Sequence, residues 1–482
     1  MERALIVAYL AVLLTLALYG FHRSTLVYLY YRYKKNLPVP KSQFTDLPSV
    51  TVQLPLFNEM YVAQRLLDAV AAIDWPKGRL EIQVLDDSTD ETQEICQKKV
   101  AELAARGVDI KYIHRVDRTG FKAGALENGL HTASGEFVLV YDADFLPSPD
   151  IVHKTIHYFT DDKVGMVQVR WGHVNRDYSR LTQVQALMLD GHFVIEHTAR
   201  HRSGRFFNFN GTAGIWRRSA IADAGGWSHD TLTEDMDLSY RAQLKGWQFV
   251  YLPEVVSDAE LPVEMNSFKS QQFRWAKGSI QVAKKLLPTI LRSDIPWVVK
   301  MEAFFHLTNN FAYPLLMLLS LLLLPNLLMR THHGWREVLI IDLPLFFGTT
   351  LSIASFYITS QRELDKAGWP KMLRRLPMVM SIGIGLCINQ SRAVLEALFD
   401  KKSGEFVRTP KHGVVQSFEG WTAKKYRASK TLIPMVEVFF ALYFAVAITC
   451  AIAFGHYVSL PFLALFFAGF AYVGAMSLHQ SR

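Results

Sequence analysis

Glu136-Phe-Val-Leu-Val-Tyr-Asp-Ala-Asp144 is the stretch of sequence that decides the fold. Its apolar, β-rich first half predicts a buried strand, and two carboxylates follow directly after it. Similar strand patterns occur at residues 49–54, 81–85, 109–114 and 164–170, and helical patterns separate them at residues 59–73, 91–106 and 122–133. Strands that alternate with helices of this length predict an α/β fold with a parallel sheet covered on both faces.

The composition excludes three classes of protein. Of the 482 residues, 50% are hydrophobic and 12% aromatic, which is too apolar for a disordered chain. Three widely spaced cysteines exclude a disulfide-stapled secreted fold. The net charge of +8 comes without a basic stripe, so we expect no nucleic-acid partner. Only 20% of the residues are charged, below the ~25% of soluble domains, which indicates a membrane protein.

Apolar runs on both sides of the α/β region predict helices that span a lipid bilayer. Five runs are long enough, at residues 4–21, 304–329, 338–359, 433–455 and 457–478. Tyrosines and basic residues follow the first run, so we interpret it as a retained anchor and not as a cleaved signal. A weaker run begins at residue 376, and we expect residues 376–400 to lie in the interface or to re-enter the bilayer, with a sixth span as the alternative.

These runs divide the chain into three predicted domains. Residues 1–37 form the anchor, residues 38–298 form the α/β domain with interfacial helices at its C-terminal end, and residues 299–482 form the C-terminal membrane bundle. Residues 361–377 and 401–427 are basic and fall on the side of the α/β domain. The positive-inside rule therefore predicts a cytoplasmic α/β domain and an N-terminus outside.

Polar residues follow three of the predicted strands. Asn58 and Glu59 follow the first, Asp87 the second, and Asp142 and Asp144 the fourth. Ligands of such sheets bind at the carboxyl ends of the strands, although turn or helix capping explains any one of these groups equally well. Asp142 and Asp144 point the same way, so together they suit Mg²⁺ or Mn²⁺.

Two later segments carry polar groups with two interpretations each. Asp235 opens a helical stretch, where it is either a favourable first-turn acid or a general base. Gln271, Arg274 and Trp275 share one helical face. Arg274 is suited to clamp a diphosphate and Trp275 to stack on a sugar ring, but an amphipathic helix on a membrane surface has the same composition.

The motifs PLFNE, DDS, KAGAL, DAD, FNGTAGIWR, TED and QQFRW occur in this order over residues 50–275. This series resembles the membrane-embedded family 2 glycosyltransferases, namely cellulose synthase and the cellulose-synthase-like enzymes. The segments IQVLDDSTD, GFKAGAL, VQVRW and EDMDL are most similar to the mannan and glucomannan synthase branch. The resemblance implies a GT-A (Rossmann-like) cytoplasmic catalytic domain inserted between transmembrane helices, in a multi-pass protein of a bacterial inner (plasma) membrane.

The resemblance also implies roles for individual residues. Asp235 would be the catalytic base, and Asp142 and Asp144 would bind Mg²⁺ or Mn²⁺. The predicted contacts to the nucleotide-sugar donor are Pro55, Asn58, Glu59, Asp87, Lys122, Asp142 and Arg274. The predicted contacts to the acceptor are Gln271, Trp275, Gly211, Thr212 and Glu234.

A further motif resembles the gating loop of processive synthases and places such a loop at residues 401–415. Phe406, Thr409 and Lys411 match that motif, whereas Arg408 stands where the motif has valine. This departure implies different contacts for the loop. We expect no cyclic-dinucleotide-binding module after the membrane bundle.

These observations predict an inverting, metal-dependent, processive hexosyltransferase. It would polymerise a β-linked, β-1,4 glucan, mannan or glucomannan from UDP-glucose or GDP-mannose and move the growing glycan across the bilayer. The candidate channel residues are His306, Asn309, Asn310, Tyr313 and Glu437. The alternative is a non-processive enzyme that adds one sugar to a lipid acceptor such as diacylglycerol or a ceramide. A transporter without catalysis is disfavoured because the acidic motifs are intact.

Overall fold

The computed structural model describes residues 2–329, 343–400, 408–426 and 431–480. The strands are β1 (Val50–Leu56), β2 (Leu80–Asp86), β3 (Ile110–His114), β4 (Phe137–Val140), β5 (Phe145–Leu146), β6 (Val164–His173), β7 (Gly214–Arg217) and β8 (Gln248–Ala259).

The α-helices are α1 (Glu2–Tyr33), α2 (Ala63–Ala71), α3 (Thr92–Ala105), α4 (Phe121–Thr132), α5 (Ile151–Thr155), α6 (Arg180–Asp190), α7 (Thr198–Arg202), α8 (Arg218–Asp223), α9 (Glu234–Leu244), α10 (Met265–Arg292), α11 (Trp297–Thr308), α12 (Ala312–Met329), α13 (Leu343–Leu364), α14 (Leu376–Gly385), α15 (Cys387–Phe399), α16 (Ile433–Ala453) and α17 (Leu460–Gln480). A π-helix, Gly191–His197, joins α6 to α7.

Within the described residues the strands form one eight-stranded sheet in the order β3-β2-β1-β4-β7-β6-β8-β5. Strands β3, β2, β1 and β4 are parallel, as the sequence predicts. The parallel half ends at β7, which runs antiparallel to both β4 and β6. The sheet is therefore mixed, which the sequence did not predict, because β7 lies within the motif FNGTAGIWR, where we predicted no strand.

Both faces of β4 are buried, so its side chains are divided between two hydrophobic cores. Phe137 and Leu139 pack with helices α2 and α3 in one core. Val138 and Val140 pack with α4 and α9 in the other. Alternate residues of a strand point to opposite faces. Because both faces are buried, the strand has no polar residue before Asp142 at the sheet edge. The buried strand thus delivers its first carboxylate at the open end of the sheet.

Four helical segments in the described ranges are long and apolar enough to cross a membrane, namely Arg3–Tyr33, Trp297–Met329, Ile433–Ala453 and Tyr457–Gln480. They correspond to four of the five predicted spans, and the chain is accordingly a membrane protein. The remaining span, predicted at residues 338–359, begins outside the described residues and continues as α13. Residues 376–400 form α14 and α15, where a sharp bend of 41° separates Trp369–Gly385 from Cys387–Phe399.

Helix α10 connects the sheet domain to the apolar helices. Asn389 on α15 donates from Nδ2 to the carbonyl oxygen of Lys269 at 2.9 Å, and Gln390 donates to that of Gln272 at 3.0 Å. Nζ of Lys269 lies 2.6 Å from Oε1 of Glu437 on α16. These polar contacts hold α10, which carries Gln271, Arg274 and Trp275, against α15 and α16.

Candidate active site

One cavity at the carboxyl ends of β1, β2 and β4 collects most of the predicted site residues. The predicted residues that line it are Pro55, Glu59, Asp87, Lys122, Asp142, Asp144, Gly211, Glu234, Asp235, Gln271, Arg274, Trp275, Thr409 and Lys411. Asn58 and Thr212 instead bond to the loops that form its wall. Phe406 lies outside the described residues. Residues from eight separate segments of the sequence thus meet at the predicted edge of the sheet.

Asp142 and Lys122 form an ion pair on one side of this cavity. Nζ of Lys122, in the first turn of α4, lies 2.5 Å from Oδ1 of Asp142 and 2.9 Å from the carbonyl oxygen of Gly211. The Asp142 amide donates to Oγ1 of Thr212 at 2.9 Å, so the buried Thr212 orients the acid from behind. Burial raises the pKa of Asp142, and the charge of Lys122 opposes that rise.

Asp144, two residues further along, pairs with Lys411. Lys411 also donates to the carbonyl oxygen of Glu260 at 2.5 Å, and the amides of His412 and Gly413 donate to Oε1 of Glu260 at 2.9 Å and 3.0 Å. Residues 408–413 are therefore fastened to the end of β8 beside the two aspartates. This segment closes one side of the cavity.

The donor atoms at this edge fit a magnesium or manganese ion. Asp142 and Asp144 present only carboxylate oxygens to the cavity, and such ions commonly bind through one or two carboxylates and the phosphates of a substrate. Across the described ranges, no group of three or more His, Cys, Asp and Glu side chains is placed to hold a metal. An ion at this place would therefore depend on substrate phosphates for the rest of its coordination shell.

Asp235 lies on the other side of the cavity, in the first turn of α9. Its Oδ1 accepts a hydrogen bond of 2.8 Å from the Met236 amide. Burial raises the pKa of Asp235 to about 7, and the neighbouring charge of Glu234 adds to the rise. Gly211 faces it with φ of +79°, and a β-carbon there would lie 3.1 Å from Oδ2 of Asp235. A carboxyl with this pKa is suited to accept a proton near neutral pH.

Gln271, Arg274 and Trp275 line the cavity from α10. Nη2 of Arg274 donates to Oγ1 of Thr409 at 2.7 Å. The ring of Trp275 lies 6.5 Å from that of Trp171 at an angle of 56°, with both rings on the cavity wall. The shared helical face thus turns toward the sheet edge.

The far end of the cavity lies between the loops after β1 and β2. Arg115 holds Asp87 with two hydrogen bonds, of 2.9 Å from Nε and 2.6 Å from Nη2. Asn58, with φ of +54°, accepts a 2.8 Å hydrogen bond from the Thr89 amide and so joins the two loops. Burial raises the pKa of Glu59 to about 8, although Arg408 opposes this rise from 3.5 Å.

Several residues of this cavity are absent from the sequence-based prediction. The guanidinium of Arg118 stacks on the ring of Phe57 at 3.3 Å, and both residues line the cavity at its β1 end. Glu260 follows β8, a strand that we did not predict. Arg118 lies four residues before Lys122 of the KAGAL motif. This closeness to the motif is the sequence signal that could have identified Arg118.

Two further cavities continue from the site toward the apolar helices. The second shares Asn210, Asp235, Gln271 and Trp275 with the first and is also lined by His306, Asn309, Asn310 and Tyr313. The third shares Asn309, Asn310 and Tyr313 with the second and extends along α1, past Arg23 to Leu13. Glu437 instead pairs with Lys269. Four of the five candidate channel residues therefore line these cavities.

Two aspartates and two lysines at the sheet edge face a buried acid across one cavity, and this arrangement suits the transfer of a hexose from a nucleotide-sugar. Residues 48–278 match the family described as glycosyltransferase-like family 2. The chain belongs to glycosyltransferase family 2, in its cellulose-synthase-like mannan synthase branch. This confirms the family, the fold and the enzyme class that the motifs predict.

Two plant proteins and one archaeal structure illustrate the similarity. The chain is 35% identical over 389 residues, 78% of this chain and 70% of the relative, to glucomannan 4-beta-mannosyltransferase 2 of Arabidopsis thaliana. It is 32% identical over 468 residues, 92% of this chain and 86% of the relative, to glucomannan 4-beta-mannosyltransferase 1 of Cyamopsis tetragonoloba. Its fold is similar to a mannosyltransferase of Pyrobaculum calidifontis in complex with GDP-Man and Mn²⁺, with a TM-score of 0.55, 21% identity and coverage of 82% of this chain and 100% of that chain.

Proposed function

We propose that the protein is a processive β-1,4-mannan or glucomannan synthase that uses GDP-mannose as donor. One observation carries this proposal: the buried carboxyl of Asp235 faces the same cavity as the ion pair of Lys122 and Asp142. A base and a diphosphate site on opposite sides of one cavity suit attack by an acceptor hydroxyl on a donor sugar. The names of the two plant relatives support mannose as the sugar and β-1,4 as the linkage.

The proposed reaction is a single displacement that inverts the anomeric carbon. Asp235 accepts the proton of the acceptor hydroxyl, whose oxygen forms the new bond to the anomeric carbon. The bond from that carbon to the diphosphate oxygen breaks at the same time. Lys122 and Arg274 meet the charge that develops on the departing diphosphate, in a buried site where such charges act strongly. Trp275 and Gln271 lie where they would hold the terminal sugar of the acceptor.

Asp142 and Asp144 are the residues that we propose to hold Mg²⁺ or Mn²⁺. When bound, such an ion supplies positive charge that stabilises a diphosphate leaving group. Lys122 and Lys411 pair with the two aspartates here and hold their side chains in place. The segment that begins at Arg408 also contacts Arg274, so the proposed gating loop would close over the donor.

The succession of three cavities supports translocation of the product. Each cavity shares lining residues with the next, and the last one lies between membrane helices. A glycan that is extended beside Asp235 would pass His306 and Asn310 and enter the bundle along α1. Two rings, Trp275 and Tyr313, offer flat faces for sugar rings on this path. We propose this path as the channel.

Contacts at the ends of two helices support the proposed orientation. Gln361, near the end of α13, donates to Oδ2 of Asp190 at 2.8 Å, and Glu363 pairs with Lys34 after α1 at 3.1 Å. The basic residues 366–375 that follow therefore begin beside the sheet domain. By the positive-inside rule we place that domain in the cytoplasm and the N-terminus outside. The bacterial inner membrane remains a prediction from the motifs.

The test is a product analysis with purified protein in lipid nanodiscs. GDP-mannose and UDP-glucose are supplied separately, each with Mn²⁺, with Mg²⁺ or with EDTA, and Asp235→Asn serves as the control for contaminating activity. We expect a polymer from GDP-mannose that β-1,4-mannanase degrades. A product soluble in chloroform that carries one sugar would overturn processive synthesis and favour the lipid acceptor. A polymer from UDP-glucose alone would overturn the choice of mannose.

A further inference from the structure

The π-helix between α6 and α7 places two histidines on one face. His192 and His197 are five residues apart, which is the hydrogen-bond spacing of a π-helix. In an α-helix, at 3.6 residues per turn, the same two side chains would point about 140° apart. In this segment the ring centroids lie only 4.3 Å from each other. The irregular helix thus brings the two imidazoles together, and His192 lines the second cavity.

Both rings hold the side chain of Asn210, the residue before Gly211. Nδ2 of Asn210 lies 3.0 Å from Nε2 of His192, and Oδ1 lies 2.7 Å from Nε2 of His197. Because an amide nitrogen only donates, Nε2 of His192 accepts and its proton lies on Nδ1, which faces Glu196 at 3.0 Å. Because the amide oxygen only accepts, His197 donates from Nε2. The two rings therefore fix which way the amide of Asn210 faces.

The turn that begins at Asn210 is strained and must be held from outside. Gly211 has φ of +79° and Ala213 has φ of +55°, a conformation that costs about 1–2 kcal/mol for a residue with a β-carbon. Oε1 of Gln168 accepts from the Asn210 amide at 3.0 Å, and Lys122 donates to the Gly211 carbonyl at 2.9 Å. The histidines add the hydrogen bonds of the Asn210 side chain.

His192 is connected to the membrane helices through a series of buried charged side chains. Oε2 of Glu196, which accepts from His192, also accepts from Nη1 of Arg200 at 3.2 Å. Nε of Arg200 donates to Oε1 of Glu302 on α11 at 2.9 Å, and Oε2 of Glu302 lies 3.1 Å from Nε2 of His22 on α1. The side chain of Arg200 is only 2% exposed. An unbroken series of polar contacts thus joins Asn210 to two of the helices that are long and apolar enough to span a membrane.

We propose that His192 and His197 are positioning residues for the transfer reaction. Their hydrogen bonds to Asn210 hold the turn of Gly211 against Asp235. Glu196 and Arg200 connect these histidines to the membrane helices. Neither histidine touches the donor site. The inference rests on the proposed role of Asp235, because the turn is held at the acceptor side of the cavity. Loss of the hydrogen bonds between the histidines and Asn210 should therefore slow transfer without weakening donor binding.

The test compares His192→Ala, His197→Ala and His192→Gln, with His131→Ala on the exposed end of α4 as the control. Initial rates are measured with purified enzyme, and binding of GDP-mannose is measured separately by titration. Misplacement of reacting groups by 1 Å costs about 10²-fold in rate. We expect both alanine variants to lose roughly 10- to 100-fold in kcat with the donor Kd changed less than about twofold. Glutamine, which can accept from Asn210, should restore most of the rate.

Two outcomes would overturn the proposal, and a third would overturn the proposed function on which it rests. Alanine variants with the kcat of the unmodified enzyme would overturn it. Variants that lose donor binding as much as rate would also overturn it, because the histidines would then merely support the fold. An unmodified enzyme that forms no product from either nucleotide sugar would instead refute the proposed function, which separates the two failures.

Discussion

Arg274 on α10 donates a 2.7 Å hydrogen bond from Nη2 to Oγ1 of Thr409. The two residues are 135 positions apart in the chain, and the bond fastens the segment that begins at Arg408 to the helix that carries the predicted diphosphate contact. Two residues later, Lys411 pairs with Asp144. The segment is therefore bonded to Arg274 on one side of the proposed donor site and to Asp144 on the other.

Thr409→Val should weaken donor binding because it removes this hydrogen bond and leaves the shape of the side chain unchanged. A hydrogen bond to a charged group contributes about 1.5 kcal/mol or more, so we expect KM for the donor to rise roughly tenfold. The measurement is a titration of GDP-mannose at saturating acceptor. Thr409→Ser keeps the hydroxyl and should stay within about twofold of the unmodified enzyme. Equal KM values for the valine and serine variants would contradict the expectation.

Asp235→Asn should abolish most of the transfer activity, because asparagine cannot accept the proton of the acceptor hydroxyl. A positioned base contributes about 10²–10⁴-fold, and we expect kcat to fall by that factor while the protein still binds the donor. Activity above roughly a tenth of that of the unmodified enzyme would exclude Asp235 as the base.

The rate should also depend on pH through the same carboxyl. Burial raises the pKa of Asp235 to about 7, so the acid is protonated and inactive as a base below that pH. We therefore expect kcat/KM to rise with pH through about 7 and then level off. The check is a rate profile in overlapping buffers at constant ionic strength. A profile that is flat down to pH 5 would show that a group with an ordinary carboxyl pKa limits the reaction.

Gly211→Ala tests how closely the turn approaches Asp235. A β-carbon at residue 211 would lie 3.1 Å from Oδ2 of Asp235 and 3.4 Å from Nζ of Lys122. We expect kcat to fall at least about tenfold, because the Asp235 carboxylate must shift to make room for the β-carbon. Gly107→Ala is the matched control, since Gly107 also has a positive φ, of +85°, but no atom within 4 Å of an added β-carbon. Similar activity for the two variants would show that the turn tolerates displacement.

The sequence predicted the parallel half of the sheet because its strands are apolar, regular and separated by periodic helices. It did not predict β7 or β8. β7 has four residues within a glycine-rich segment, and β8 has polar and proline residues between its apolar ones. Their position in the sheet depends on pairing with β4 and β6, which are distant in sequence, so no local pattern reveals it.

The site was predictable to the extent that motifs follow strand ends. Asp87 and Asp142 line the cavity for this reason, whereas Asn58 and Thr212 hold its wall. The histidine pair could not have been found. Residues five positions apart do not share a face of an α-helix. The π-helix that brings the two histidines together is visible only in the structure.

Asp144→Asn should weaken binding of the proposed metal ion. The substitution removes one of two carboxylates, and even an outer-shell partner of a metal contributes roughly tenfold to affinity. We expect the Mn²⁺ concentration for half-maximal activity to rise by at least that factor, with activity recovering at high Mn²⁺. Asp162→Asn, at an exposed position outside the cavity, should show the original Mn²⁺ dependence. Full activity of either protein in excess EDTA would exclude a metal requirement.

The buried ion pair of Lys269 and Glu437 should matter for stability and not for chemistry. Both side chains are at most 5% exposed, and the pair joins α10 to α16 with a 2.6 Å contact. Glu437→Gln leaves the ammonium of Lys269 buried without its counter-charge, which typically costs about 3–5 kcal/mol. We therefore expect a clear drop in the thermal transition of the protein in detergent, followed by tryptophan fluorescence.

The double variant Lys269→Met with Glu437→Leu separates the charge effect from the packing effect. Replacing both members of a buried pair by apolar residues of similar volume is often neutral or stabilising, so the double variant should recover the original transition. Glu94→Gln removes one member of the exposed pair with Lys98 and should leave the transition unchanged, because such pairs contribute little. If the single and double variants at the buried pair were equally unstable, packing around Glu437, and not its charge, would hold α10 against the bundle.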